Sequence, residues 1–258
     1  MTTDHLTAHV DDVARIRHRE AMELTATENQ RLLTQLHGLS PQDWGAVTDC
    51  PGWTVRDVVV HLIASAQAQA SPLEFARQVR AGRPLTAAIG GQHWVDGLNE
   101  AQLRARVGLT PGELPALWQH CAAAALTARR RMPALVRALP LLPLGETMGT
   151  KLGWQPLGYL FDIGFTRDVW MHRVDIARAT GRPLELTASH DGRIVTDILA
   201  EWASRHGEPF SLRLTGPAGG HFKAGGGGEA TTVDAVDFAR ILSGRADAHG
   251  VLRHKLPL

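Results

Sequence analysis

Pro51-Gly52-Trp53-Thr54-Val55-Arg56-Asp57-Val58-Val59-Val60-His61-Leu62 reads as the end of a loop running into a helix. Thr54 has the character of an N-cap, and Asp57 three residues later completes a capping-box pattern. The apolar run through Ile63 and the alanine-rich stretch after it carry this helix to about Ala70. His61 sits inside the run. A buried imidazole needs hydrogen-bond partners or a metal, because leaving it unpaired costs free energy. Taken alone, His61 is ordinarily a satisfied core histidine.

Outward from this stretch, helical signals dominate the first two thirds of the chain. Residues from about Val10 to Leu36 carry Ile16, Leu24, Leu32 and Leu36 among charged positions, which predicts one long helix. Pro72, Pro84 and Gly90-Gly91 mark a less regular middle segment with a short helix near Leu73–Val79. A third long helix is expected after Thr110-Pro111, with Leu114, Leu117, Trp118, Cys121, Ala125 and Met132 on one face. Arg129-Arg130-Arg131 falls near its end, where cations complement the helix dipole. A fourth helix is expected over about Pro156–Thr180, stopped by Gly181-Arg182-Pro183.

Beyond Pro183 the pattern changes. A helix around Asp191–Ser204 leads into Phe210–Thr215, which alternates like a half-buried strand. Short strands near His221–Lys223 and Ala230–Val233 flank Gly225–Gly228, which reads as a hairpin turn, and a last helix spans about Ala235–Leu242. The expected fold is α+β, with a helical bundle over 1–183 and a small α/β domain over 184–258.

The 258 residues carry a formal net charge of +1, which argues against a nucleic-acid partner, and the arginine run does not change that. Two cysteines, Cys50 and Cys121, cannot build a zinc ribbon or a disulfide framework. No signal peptide or membrane span is recognisable, so a cytoplasmic protein is expected. Lysine occurs only at 151, 223 and 255, against 24 arginines (27 − 3), a mark of a GC-rich source. The glycine tract lacks the lysine and helix of a phosphate loop, GxSxG is absent, and so is HExxH.

The fourth helix gives His61 a second meaning. Asp168 and His172 are four residues apart and project from one face, on a stripe with Phe161 and Phe165. With His61 from the second helix they make two histidines and a carboxylate, a set that leaves one position open on a catalytic zinc. An internal Asp–His hydrogen bond without metal fits the spacing equally well. Asp175 follows as a support for His172 or a partner of Arg178. Asp57 is better explained as a cap than as a ligand. His93 stands at a possible pocket mouth, while His120, His190, His206, His221, His249 and His254 are expected on the surface or in loops.

The Pro51–Leu62 segment resembles the second-helix signature of the mycothiol-dependent maleylpyruvate isomerase family. Asp96-Gly97-Leu98-Asn99-Glu100-Ala101-Gln102 and Asp168–Gly181 are similar to it as well, and Leu242-Ser243-Gly244-Arg245 resembles its smaller domain. The resemblance implies a DinB-like four-helix bundle followed by a sterol-carrier-like α/β domain. It also implies a divalent metal, usually zinc, at His61, Asp168 and His172, with mycothiol as cosubstrate. Aspartate stands at 168 where the family usually has glutamate, so the carboxylate is one methylene shorter. Arg245 matches, by motif, an arginine that faces the pocket, although a cation at a helix C-terminus would look the same.

A free thiol titrates near ~8.5 and is mostly protonated at neutral pH, and a metal corrects that. In such an isomerase the thiolate adds to the double bond of maleylpyruvate; rotation and elimination then give fumarylpyruvate. Arg245 would bind the substrate carboxylate and the developing enolate. The implied partners are a small substrate and a low-molecular-weight thiol, with the chain a monomer or homodimer. Three functions stay open: a thiol-dependent isomerase or S-transferase, a metal-activated hydrolase using the same ligands, and a non-catalytic ligand-binding bundle.

Overall fold

The computed structural model describes residues 7–258 except Gly227 and Glu229, with the Thr147 side chain also left aside. The chain forms two compact units. One comprises His18–Leu142 and Gln155–Pro183; the other comprises the described part of Met1–Arg17, Pro143–Trp154 and Leu184–Leu258. Two segments that sequence alone assigned to the helical half, 7–17 and 143–154, therefore group with the C-terminal part.

In the helical unit, α1 (His18–His37), α2 (Val55–Ala70), α5 (Leu114–Arg131) and α7 (Phe165–Thr180) pack around one apolar core. Leu32, Leu36, Val59, Leu62, Ile63, Trp118, Ala125 and Ile176 fill it. Thr54 caps α2 as its sequence suggests: Asp57 N–H donates to Thr54 Oγ1 at 3.3 Å, and Thr54 N–H donates to Asp57 Oδ2 at 3.0 Å. The cap fixes where α2 begins and hence which way His61, seven residues on, faces.

The middle segment is more regular than its breakers suggest. In place of a short helix and an irregular stretch there are α3 (Pro72–Ala88) and α4 (Trp94–Arg104). Pro72 occupies the first turn of α3, where its missing N–H costs nothing. The two helices touch backbone to backbone: a Cβ on Gly97 would lie 2.3 Å from the Gly82 carbonyl oxygen, and one on Gly82 would lie 2.6 Å from the Leu98 nitrogen. Close approach of two helices, rather than a turn, is what these glycines serve. His93 is the N-cap of α4, its Nδ1 accepting from Val95 N–H at 3.4 Å.

After a short α6 (Ala134–Arg137), the chain makes a hairpin, β2 (Leu142–Thr147) and β3 (Thr150–Gln155), not expected from sequence. Met148 and Gly149 both take positive φ, 54° and 77°, as the tight primed turn between strands demands. The expected fourth helix, about Pro156–Thr180, is helical from Leu157 onward, but its early turns include a π-helical stretch, Tyr159–Gly164, which leads into α7. Arg129 sits in the last turn of α5, as expected of an end-of-helix cation, and is buried there. It donates to the Phe161 and Asp162 carbonyls at 2.7 and 3.0 Å and to Thr166 Oγ1 at 3.0 Å, satisfying the wide turn's backbone. Burial pushes its guanidinium down to about 9.

The other unit holds a mixed sheet in the order β1-β5-β4-β6, formed by β1 (Ala8–His9), β4 (Phe210–Thr215), β5 (Gly220–Ala224) and β6 (Ala230–Asp234). The expected Val10–Leu36 helix fails at its start: Ala8 and His9, just before it, pair in parallel with Phe222 and Lys223, Val10–Asp12 form a short 3-10 turn, and α-helix begins only at His18. Strand pairing supplied by distant residues overrides the local period. Phe210, Leu212 and Leu214 alternate inward on β4 and pack with α8 (Asp191–His206) and α9 (Ala235–Leu242). Gly225–Gly228 is not a hairpin turn: β5 and β6 each pair with β4, so the tract, whose Gly227 lies outside the described residues, links two non-adjacent strands.

Of the histidines expected on the surface or in loops, His190 lies in the turn before α8 but is buried, and His206 is on α8, stacked on His254 with centroids 4.8 Å apart.

Candidate metal centre

The seventh residue of α2 and the fourth and eighth of α7 meet in the helical unit. His61 Nε2 lies 3.7 Å from Asp168 Oδ2, and His172 Nε2 lies 3.5 Å from Asp168 Oδ1. The two imidazoles stand nearly edge-on, with centroids 5.4 Å apart. Both histidines are buried, whereas the Asp168 side chain keeps 27% of its surface exposed. The cluster is thus accessible from its carboxylate side. Trp53, at the head of the opening motif, packs its ring 5.2 Å from His61 and 6.3 Å from His172.

Each imidazole is held from behind. His61 Nδ1 meets Gln102 Oε1 on α4 at 2.8 Å, and His172 Nδ1 meets the fully buried Asp175 Oδ2 at 2.9 Å. Asp175 thus supports His172; Arg178 pairs with Asp49 instead. Asp175 Oδ2 also accepts from Cys50 Sγ at 3.3 Å.

Two side-chain groups here have donor atoms close enough to hold a cation: His61, Asp168 and His172, and Cys50, His172 and Asp175. Their distances separate them. Around a tetrahedral zinc with bonds of ~2.0–2.2 Å, neighbouring donors lie about 3.3–3.6 Å apart. The first group's 3.5 Å lies on that edge and its 3.7 Å just beyond it, a gap that a small side-chain adjustment closes. The second group's 2.9 Å contact is a hydrogen bond, too short to bracket an ion. The residues of the first group fit a metal, and those of the second fit the hydrogen-bonded backing of a ligand histidine.

Sequence reasoning did not give roles to Gln102 or Gln78, and it set Cys50 aside. A buried glutamine carries no spacing signature, and Cys50 reaches Asp175 across 125 residues. Cys121 is buried in the bundle core, where desolvation pushes its thiol up and leaves it unreactive. Arg245 belongs to the other compact unit, just beyond α9, where its backbone N–H donates to the Arg240 carbonyl at 2.8 Å.

A helical bundle with a partly open His–Asp–His cluster, joined in one chain to a small mixed sheet, defines the class of protein. The family model for the mycothiol maleylpyruvate isomerase N-terminal domain matches residues 25–177, more than half of the chain, and includes all three cluster residues. The chain belongs to the mycothiol maleylpyruvate isomerase family, a family of enzymes. In fold it is similar to the crystal structure of the mycothiol-dependent maleylpyruvate isomerase, at 19% identity and a TM-score of 0.58 over 93% of each chain. A histidine-to-alanine variant of that enzyme matches at 18% identity with the same score and coverage. No curated protein matches the chain. Among the described residues, no helix is long and apolar enough to cross a membrane.

Proposed function

We propose that this protein is a divalent-metal-dependent isomerase that uses mycothiol, or a similar low-molecular-weight thiol, on maleylpyruvate or a related unsaturated keto acid. S-transfer to an electrophile would use the same groups. The observation that carries the reading is the convergence of two buried imidazole Nε2 atoms on one carboxylate at donor–donor distances that suit a tetrahedral ion. Family membership supplies the thiol and the substrate class.

His61, Asp168 and His172 would hold the metal. Bound there, a zinc ion would supply Lewis acidity, drawing a thiol's pKa from ~8.5 to below neutrality. The remaining work falls to the chain. Asp175 accepts from His172 Nδ1, which leaves Nε2 free to donate its lone pair. The Trp53 ring and the apolar α2 wall exclude water from the buried side of the two imidazoles. No cysteine need act as nucleophile, which suits a thiol brought from solution: Cys121 is core, and Cys50 donates to Asp175.

Purified protein should contain stoichiometric divalent metal and isomerise maleylpyruvate only when the thiol is added. In His61→Ala, metal affinity should fall by more than the roughly 10–100-fold that loss of a supporting hydrogen bond costs. Full thiol-dependent turnover by that variant would overturn the proposal. Release of a hydrolysed product from a small ester or amide conjugate without any thiol would instead favour a hydrolase with the same ligands holding water.

A further inference from the structure

Behind His61 runs a chain of side-chain amides whose direction can be read from its far end. Gln78, on α3, places its Nε2 at 3.0 Å from the Ala64 carbonyl oxygen and 2.8 Å from Glu74 Oε1. A carbonyl oxygen can only accept. Glu74 is ionised, because its bond with Arg77 pulls its carboxyl down to about 2, so it too can only accept. The NH2 end of Gln78 must therefore face these two, and turning the amide would set its oxygen against both. Its Oε1 then faces Gln102 Nε2 at 2.8 Å, so Gln102 donates here and turns its own oxygen to His61. That oxygen lies 2.8 Å from His61 Nδ1, and it must receive a proton from the ring.

Both glutamines are 2% exposed, so water does not compete for these bonds. The α3–α4 backbone contact at Gly82 and Gly97 fixes the distance between them. The direction set at the α2 backbone and Glu74 is thus relayed through two amides to one nitrogen.

We propose that Gln102, oriented by Gln78, is a positioning residue that holds His61 as its Nδ1–H tautomer, with the Nε2 lone pair directed at Asp168. The consequence for metal affinity rests on the function proposed above; the tautomer itself does not. In water a neutral imidazole favours the opposite tautomer, with the proton on Nε2, which would block the ligand atom. The relay removes that competing form before a metal arrives, which is preorganisation of the ligand.

The test is 15N NMR of metal-free, 15N-histidine-labelled protein at a pH where the imidazoles are neutral, read alongside zinc affinity by competition with a chromophoric chelator. In the wild type, His61 should show a protonated Nδ1 and a bare Nε2. Gln78→Met leaves His61 untouched but frees the Gln102 amide to turn, so Nε2–H should appear and zinc affinity should fall by about 10–100-fold. Adding Gln102→Glu to that variant supplies an acceptor that needs no orienting and should restore both readings. Should Gln78→Met fail to fold, the wild-type tautomer decides alone. A wild-type His61 protonated on Nε2, or a folded Gln78→Met with unchanged tautomer and affinity, would overturn the inference. An Nδ1–H tautomer in a wild type that binds no zinc would uphold it while refuting the metal-dependent function.

Discussion

Gly97→Ala tests whether helix packing sets the geometry of the site. The added Cβ would lie 2.3 Å from the Gly82 carbonyl oxygen and Thr86 Oγ1, and 2.6 Å from the Thr86 nitrogen. Thr86 Oγ1 can rotate away, but backbone atoms cannot. Restoring an ordinary contact of 3.4 Å would require α3 and α4 to separate by about 1 Å. Overpacking of this kind costs about 3 kcal/mol, and the better helix propensity of alanine returns about 1 kcal/mol, leaving about 2 kcal/mol lost. At 2–4 °C per kcal/mol for a unit of this size, Tm should fall by about 4–8 °C. The same displacement would stretch the 2.8 Å bond between Gln102 and Gln78 to about 3.9 Å, beyond hydrogen-bonding reach. Zinc affinity should then fall by about 10–100-fold, as for loss of the supporting bond itself. Differential scanning calorimetry and chelator competition measure the two effects. An unchanged Tm would refute the backbone-to-backbone contact; a lower Tm with unchanged affinity would refute its link to the metal centre.

Two further outcomes follow from groups outside the cluster. Glu28 and Arg173 form a buried pair at 2.7 Å between α1 and α7, so Glu28→Gln, which removes one charge of that pair, should cost about 3 kcal/mol, read by urea denaturation. His206 is held down to about 4, first by burial and then by its neighbour His254, although Glu208 opposes the shift. Its folded pKa lies below the unfolded 6.5, so the stability it contributes is complete above pH 6.5 and is lost as pH falls toward 4. Because the ring is only partly buried, the loss should be about 1–2 kcal/mol rather than the full value of the shift. Chemical denaturation at pH 7 and pH 4.5 should show this loss in the wild type and a smaller one in His206→Gln.

The local signals in the sequence were strongest where one stretch of backbone could satisfy itself. The Thr54–Asp57 capping box, the inward alternation of Phe210, Leu212 and Leu214, and the i, i+4 pairing of Asp168 with His172 each need only neighbours within a few residues. His61 was legible as a candidate because a histidine inside Val58–Ile63 must be paired. Breaker residues misled in two directions. Pro72, Pro84, Gly90 and Gly91 suggested an irregular segment where α3 and α4 form, since Pro72 opens a helix and Gly82 and Gly97 allow two helices to touch. The apolar period from Val10 suggested helix where Val10–Asp12 form only a short 3-10 turn and α1 begins at His18.

Sequence by itself determined the long helices of the bundle, the α+β class and the three polar residues able to share an ion. It did so because capping, periodicity and the cost of burying an imidazole act over a turn or two of chain. Tertiary structure alone decided which nitrogen of each histidine points inward. Gln102 reaches His61 across 41 residues, and Cys50 reaches Asp175 across 125. Hydrogen bonds of that range have no local period, and they arise only once packing has removed the water that would otherwise take their place.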